Sequence, residues 1–270
     1  MNWADDWDAQ DLELELSDYD FSVMNKALLV NLNGGTIENL HMANAKMAGV
    51  GQALLVLNAG ENSVIRNCHV QGEMRATQGS SSGLVGNNKG LIENCSATVN
   101  TNLQGGAAFV GTNDSTGVIR NCISSGSMRC TMGNGAGFAS TNYGLIEQCE
   151  ADVYIQALGG PDSGTNAAGG HTFRYRSGAG FVMNNSRTIR ACVAKGNLIA
   201  EGTSVNSVWS SVIAGFAYSN DNGRIESCYC TGDLRDVSDS TASGSCATMI
   251  QFVYMNGENN SSSVAGCSTG

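Results

Sequence analysis

The residues with the most varied chemistry lie in one short segment, at about 157–177. His171, Arg174, Tyr175 and Arg176 offer an imidazole, a phenol ring and two guanidinium groups within a few residues of one another. Guanidinium groups bind carboxylates and phosphates in a bidentate manner, and a tyrosine ring supplies an apolar stacking face. The sequence therefore predicts a loop that binds an anionic or sugar ligand. The alternative is a solvated loop that only covers one side of the protein.

Two shorter irregular segments follow, at 201–212 and 233–246. Trp209 in the first of them joins the predicted ligand-binding residues, because exposed aromatic residues are frequent at recognition surfaces. Packing of Trp209 against the body of the protein is an equally good interpretation.

Paired carboxylates would indicate a glycoside hydrolase, in which the two groups stand about 5–9.5 Å apart. Asp114 and Asp221 occupy equivalent places in the sequence repeat described below, but three repeats separate them, or roughly 15 Å at the spacing of neighbouring strands. A role in turns is the simpler interpretation. The sequence also has no zinc, calcium or phosphate-loop motif. We predict no catalytic residues, no metal and no cofactor; a carbohydrate-active β-helix enzyme, either a polysaccharide lyase or a hydrolase, is the alternative.

These segments interrupt a repeat that organises most of the chain. Short phrases such as Val-Ile-Arg-Asn-Cys end in cysteines 27 residues apart and continue at wider intervals, at Cys68, Cys95, Cys122, Cys149, Cys192 and Cys228. The cysteine and the isoleucine three residues before it are both apolar, so the chain must bend between them to bury both. The bend is predicted at Asn39, Asn67, Asn94 and Asn121, and at Gln148, Ala191 and Ser227 in later copies.

A second phrase, of small residues followed by one large apolar residue, precedes each cysteine phrase. Four residues after the large residue, an asparagine recurs, with Ala59 as the exception: Asn33, Asn88, Asn113, Asn142, Asn185 and Asn220. Asparagine suits sharp bends, and stacked asparagines can hydrogen-bond to one another.

Three short strands and two asparagine corners in each repeat predict an all-β fold, a single parallel β-helix (β-solenoid) of about eight coils over residues 27–270. Residues 1–26 form an acidic cap or linker, in which Asp11–Phe21 alternates acidic and apolar residues like a capping strand. The other end shows no capping segment, which has two explanations: the chain is a piece of a longer solenoid, or its last coil docks onto another copy of the chain. Head-to-tail self-association is therefore a further prediction.

The residue after each repeated isoleucine alternates in charge, in the order Glu38, Arg66, Glu93, Arg120, Glu147, Arg190 and Glu226. If coils stack in register, these residues form a ladder of opposite charges on the outer surface. In a continuous ladder, the double reversal Glu93→Arg with Arg120→Glu should bring no recovery of stability.

The formal net charge of −10 argues against a nucleic-acid partner, because such partners require clustered lysine and arginine. No apolar run approaches the roughly 20 residues of a membrane span. The chain has 10 cysteines. Because most of them occupy one inward position of the repeat, we predict a reduced, buried stack rather than disulfides or a metal site.

The stretch Ser82–Cys95 reads Ser-Gly-Leu-Val-Gly-Asn-Asn-Lys-Gly-Leu-Ile-Glu-Asn-Cys. It resembles the GLUG repeat of bacterial surface proteins, and the likeness extends over most of the chain from about residue 27. The resemblance implies a secreted or surface-attached protein in which the repeats serve as a stalk or display scaffold, and it supplies no catalytic residues. We therefore predict a non-enzymatic, extracellular structural or adhesive solenoid whose partner is a surface glycan, a protein receptor or another copy of itself.

Overall fold

The predicted solenoid is confirmed by parallel pairing between strands of successive repeats. The computed structural model describes residues 2–15, 27–51, 53–78, 81–103, 105–130, 133–158, 176–201, 210–237, 246–256, 263–265 and 267–269. Within these ranges every regular element is a β-strand, and the strands form three parallel sheets. The fold is therefore all-β and of the parallel β-helix type.

Sheet 1 contains one strand from each of nine coils. We number the coils 1 to 9 by these strands, which are, in order, Asn2–Trp3, Leu29–Leu32, Val56–Ala59, Val85–Asn88, Val110–Asn113, Ala139–Asn142, Val182–Asn185, Ala217–Asn220 and Val253–Asn256. The structure thus has one coil more than the eight predicted, because residues before position 27 already form a coil.

Sheet 2 is the largest, with 18 strands, and most coils contribute two strands or more that meet at a corner. Two strands, Trp7–Glu15 and Thr36–Val50, run through the corner without a break. The strands that end before the corner are Val64–Arg66, Leu91–Glu93, Val118–Arg120, Leu145–Glu147, Thr188–Arg190, Arg224–Glu226 and Ser263–Ala265. After it lie His69–Gln78, Ser96–Leu103, Ile123–Cys130, Glu150–Leu158, Val193–Ala194, Leu198–Glu201, Tyr229–Cys230, Leu234–Asp236 and Ser268–Thr269.

Sheet 3 is a narrow sheet of six strands that leads each later coil back to sheet 1. Its strands are Ser81–Ser82, Gly106–Ala107, Gly135–Ala136, Arg176–Ala179, Ser210–Ala214 and Cys246–Ile250. Coils 4 to 6 therefore have four strands each, where the sequence predicts three.

The N-terminal segment is a true coil of the solenoid. The strand Trp7–Glu15 pairs in parallel with Thr36–Val50, with Trp7 opposite Ile37 and Leu14 opposite Met42. Alternation of acidic and apolar residues does mark a strand that covers the next coil, but the strand begins earlier than the predicted Asp11–Phe21. Residues 16–26 lie outside the described ranges.

The predicted corners of sheet 2 are confirmed by their backbone angles. Asn39, Asn67, Asn94 and Asn121 have φ values of 56°, 52°, 52° and 53°, in the left-handed region. Gln148, Ala191 and Ser227 adopt φ values of 54°, 52° and 52° at the equivalent places. The bend lets both the isoleucine and the cysteine of each phrase face the interior, where both are buried.

The cysteines form a column inside the solenoid, as predicted. The backbone N–H of a cysteine points at the cysteine sulfur of the next coil at Cys68, Cys95, Cys149, Cys192 and Cys228, for example Cys68 N to Cys95 Sγ at 3.4 Å. The nine cysteines whose side chains the structure describes are free thiols. Burial raises the pKa of the Cys95 and Cys149 thiols, so these two stay protonated and apolar.

A column of phenylalanine rings fills the middle of the later coils. Phe109, Phe138, Phe181, Phe216 and Phe252 stack with successive ring centroids 4.6, 4.7, 4.8 and 4.9 Å apart. The sequence pattern shows only a recurrent large residue at this place. The structure shows that it is a continuous aromatic stack.

The predicted asparagine column is confirmed from coil 4 to coil 8. Each buried side-chain amide donates to the next, through Asn88, Asn113, Asn142, Asn185 and Asn220, at 2.9, 2.9, 2.8 and 2.8 Å. Because backbone groups of the corner bond to the same amides, this column closes the turn between sheets 1 and 2.

Asn33 is not part of that column, contrary to the prediction. Leu32 and Ala59 occupy the same register position as Asn88, and Asn33 is exposed on the turn. The prediction counted four residues from Leu29, whereas Leu28 is the residue equivalent to the later phenylalanines.

The charged residues stack in register, as predicted, but they pair two by two. Arg66 contacts Glu38, Arg120 Nε lies 2.8 Å from Glu93 Oε1, and Arg190 Nη2 lies 2.5 Å from Glu147 Oε2. Each of these arginines thus reaches to the glutamate of the preceding coil. Glu226, the last in the series, contacts Arg224 of its own strand instead.

Candidate ligand-binding groove

The predicted binding loop is only partly within the described residues. His171, Arg174, Tyr175 and Trp209 lie outside them. The flanking strands extend to Leu158 and resume at Arg176, inside the predicted limits of 157–177.

Arg176 itself begins a strand of sheet 3, opposite Ser211, and only 9% of its surface is exposed. Its Nη1 donates a hydrogen bond to the carbonyl of Leu158, and its charge acts on the Cys130 thiol. Arg176 therefore ties together the two strands that flank the insertion and does not offer its guanidinium group to an external ligand.

A groove that the sequence did not predict lies on the outer surface, where sheet 1 turns into sheet 2. It crosses coils 3, 4 and 5 and has a volume of about 440 Å³. The lining residues come from three equivalent turns: Glu61, Asn62, Ser63, Val64, Lys89, Gly90, Leu91, Thr116, Val118 and Arg120.

The floor of the groove is a row of aliphatic side chains. Val64, Leu91 and Val118 are opposite one another in the parallel register, and each is half-buried. Each comes directly before a buried isoleucine, so its own side chain points outward. Neighbouring members of the row are therefore one coil apart, about 4.8 Å.

The rims of the groove carry charges of both signs. Lys89 Nζ lies 3.9 Å from Asp114 Oδ2 along one side, and the pair Arg120 and Glu93 borders the other. Thr116 Oγ1 donates a hydrogen bond of 2.9 Å to the carbonyl of Lys89, which fixes the turn.

Asp114 has the turn role that the sequence predicts. Its carboxylate accepts the Ser115 N–H at 2.6 Å, and its carbonyl accepts the Gly117 N–H at 2.9 Å. The hydrogen bond from Ser115 lowers the pKa of Asp114, so this carboxyl group is ionised at neutral pH. Asp221 holds the equivalent corner in coil 8, where its N–H donates to Asn185 as that of Asp114 does to Asn88.

This arrangement offers the contacts that a binding surface needs. An aliphatic floor contacts the apolar face of a ligand, and the rim offers both donors and acceptors. Asp114 and Glu93 lie 3.9 and 2.8 Å from a basic side chain, so both carboxylates are already paired within the protein.

One signal in the sequence could have revealed the groove. The repeated phrases Val-Ile and Leu-Ile place two apolar residues side by side in a strand. Because successive side chains alternate between faces, one of the two must point outward. An outward aliphatic residue in several consecutive coils produces an apolar strip on the surface.

Comparisons with known proteins give no relative. No family model matches the chain, and it matches neither a curated protein nor a solved structure. The resemblance to the GLUG repeat therefore rests on the residues Ser82–Cys95 and their copies alone. In the part of the chain that the structure describes, helices of the length and hydropathy needed to cross a membrane are absent.

Proposed function

We propose that the chain is a non-enzymatic structural solenoid that serves outside the cell as a rigid scaffold and presents an adhesive surface. The observation that carries this proposal is the repetition of identical interior columns from coil to coil. Columns of isoleucine, cysteine, asparagine and phenylalanine run along the axis of the solenoid. These repeated residues build a long and stiff protein body. A location outside the cell is supported by the resemblance to surface proteins with GLUG repeats.

Stacking of this kind produces an extended and rigid object. Nine coils at about 4.8 Å give a rod roughly 40 Å long. Since each coil contacts only its neighbours, stability grows with the number of coils. Such a rod holds surface groups at fixed distances, which is the property that a scaffold requires.

The groove formed by coils 3 to 5 is the surface that we assign to adhesion. Its aliphatic floor and mixed rim suit the ring face and hydroxyl groups of a glycan, or a segment of a protein receptor. The loop that contains His171, Arg174 and Tyr175 stays a second predicted contact. Head-to-tail association with other copies also stays a prediction.

Adhesion can be tested with beads that carry the full chain, applied to arrays of glycans and to cells. The substitution Leu91→Lys places a charge on the floor of the groove without touching the core. Leu145→Lys is the matched control, because Leu145 has the same outward position and half-burial in coil 6 but does not line the groove. We expect the first variant to lose retention and the second to keep it.

Equal retention of both variants would remove the groove from the proposal. Turnover of polysaccharides by the wild-type chain, measured as new reducing or unsaturated ends, would overturn the non-enzymatic assignment in favour of the carbohydrate-active alternative. Elution of the chain at a size that grows with protein concentration would support self-association.

A further inference from the structure

The regular winding of the solenoid is broken in two consecutive coils, at neighbouring places. In coil 1, four steps lead from Asp8 to Leu12, whereas two steps lead from Glu38 to Leu40 on the paired strand, so the first strand contains two extra residues. Gln10, within this bulge, has a φ value of 51°.

A second bulge follows in coil 2. Three steps lead from Met42 to Ala45, against two from Val70 to Gly72 in coil 3, so one extra residue is inserted. Asn44 takes the left-handed conformation there, with φ at 54°. Bulges re-aim side chains and are frequent beside functional sites, so the residues near these two are of interest.

Two of the chain's three histidines lie between the bulges. His41 and His69 are opposite one another on neighbouring strands, and their ring centroids are 4.8 Å apart. Glu13 in coil 1 and Ser96 in coil 4 occupy the same column on either side of them. A surface cavity of about 200 Å³ is lined by these four residues and their neighbours.

The bulge in coil 1 also brings Asp11 to this column. Asp11 has a φ value of 60°, and its Oδ1 lies 3.8 Å from His41 Nε2. This distance is too long for a hydrogen bond. It is close to the separation of about 3.4 Å expected between two ligand atoms that bind one tetrahedral ion with bonds near 2.1 Å.

We propose that His41, His69 and Asp11 form a surface binding site for a divalent first-row transition metal ion such as Zn²⁺. Imidazole nitrogen and carboxylate oxygen are the ligands that such ions take. The ion would link coils 1, 2 and 3, and water would complete its coordination. Glu13 stands in the same column as a further oxygen donor.

Ser96 has a positioning role in this site. Its Oγ lies 2.7 Å from His69 Nδ1, so Nε2 is the nitrogen of His69 that is left to meet the ion. Metal-bound histidines ordinarily use their second nitrogen for such a hydrogen bond.

The ligands of the proposed site come together only when the ion binds. Among the described residues, no three histidine, cysteine or acidic side chains converge as they would in a preformed metal centre. His69 must therefore turn towards His41 and Asp11 when the ion binds. Both histidines are on the surface, where a rotamer change meets little resistance.

The test is titration of the tag-free, full-length chain with Zn²⁺ in a calorimeter. We expect one bound ion per chain, a tenfold or greater loss of affinity in His41→Gln and in His69→Gln, and a smaller loss in Asp11→Asn. Asp152→Asn is the control: it removes an exposed carboxylate of sheet 2 in coil 6 and should bind like the wild type. A visible spectrum of the Co²⁺-loaded chain without thiolate charge-transfer bands would identify nitrogen and oxygen ligands and separate this site from the cysteines.

Three outcomes would overturn the proposal. They are the absence of saturable binding to the wild-type chain, affinities that His41→Gln and His69→Gln leave unchanged, and a loss in Asp152→Asn as large as theirs. Melting temperatures of the metal-free variants establish that each is folded. Because the altered side chains lie outside the core, we expect these temperatures to match that of the wild type.

Discussion

Two columns of asparagine run through this molecule, one inside the turn and one on the outer face of sheet 1. The inner column joins Asn88 to Asn220 over five coils and is buried. The outer column joins Asn31, Asn58 and Asn87, with amide contacts of 2.9 Å at each step, and water reaches its members. The contacts differ in length by no more than 0.1 Å, but only the inner amides have no water to replace a lost partner. Burial, not geometry, therefore decides how much each column stabilises the fold.

The same contrast applies to the whole molecule. Interior columns keep one residue type over many coils, whereas surface columns change from coil to coil and include the groove, the charge pairs and the two histidines. Uniform columns satisfy the packing and hydrogen bonding that every coil shares. Surface columns do not have to meet these packing and hydrogen-bonding requirements, so their residues can differ between coils and form binding sites.

The largest effect should follow from removal of a ring in the aromatic column. Phe181 is fully buried between Phe138 and Phe216. We expect Phe181→Ala to lower the free energy of unfolding by about 3–5 kcal/mol, since the rings on both sides lose a partner and a cavity remains.

Tyr154→Ala is the surface counterpart, because Tyr154 is 39% exposed on sheet 2. It should change stability by no more than about 0.5 kcal/mol. Urea denaturation of both variants makes the comparison, and similar losses would contradict the division into interior and surface columns.

The asparagine columns give a sharper test with one residue type. Asn142→Ala breaks the inner column, because it removes the acceptor of the Asn113 amide and the donor to the Asn185 side-chain oxygen, at a cost of about 1–3 kcal/mol. Asn58→Ala makes the same change in the outer column and should cost only a few tenths, because water solvates Asn31 and Asn87. Equal midpoints in urea for the two variants would show that burial is not what separates the columns.

Alkaline pH should weaken the interior through its buried thiols. Burial, offset in part by the charge of Arg176, raises the pKa of Cys130 from an ordinary value of 9.0 to about 12. Between these values the unfolded chain loses the proton and the folded chain keeps it. Stability should therefore fall as pH rises above about 9, by about 1.4 kcal/mol per pH unit for this thiol.

The variant Cys130→Ala isolates that contribution. Its stability should depend less steeply on pH than that of the wild type when both are denatured with urea at pH 8, 9, 10 and 11. Parallel slopes for the two proteins would mean that Cys130 is ionised, or accessible to water, in the folded state.

Features that recur in every repeat could be predicted from the sequence. The corners at Asn39 to Ser227 and the cysteine column follow from one phrase, because the bend is required to bury both its isoleucine and its cysteine. The prediction for Asn33 was wrong because the first coils have leucine where later coils have phenylalanine. Leu28 and Leu29 are adjacent, and the count of four residues started at Leu29 although Leu28 is the equivalent of the phenylalanines.

The histidine site could not be predicted, for a related reason. His41 and His69 are 28 residues apart, not 27, and two bulges decide which residues face them. A bulge is an extra residue in one coil only, so periodicity does not contain it. The sequence also could not show which glutamate each arginine contacts, because alternating charges are compatible both with a continuous ladder and with separate pairs.

The smallest expected effect decides between these two arrangements of charge. Arg120 is 41% exposed and Glu93 is 23% exposed, so the pair contributes about 0.2–1 kcal/mol. Glu93→Arg should lower the melting temperature slightly, because it sets like charges against each other. Adding Arg120→Glu restores the pair within its own two coils, so part of the loss should be recovered, as expected for discrete pairs. No recovery, or a further decrease, would instead favour the continuous ladder, in which the swapped residues meet like charges at Arg66 and Glu147.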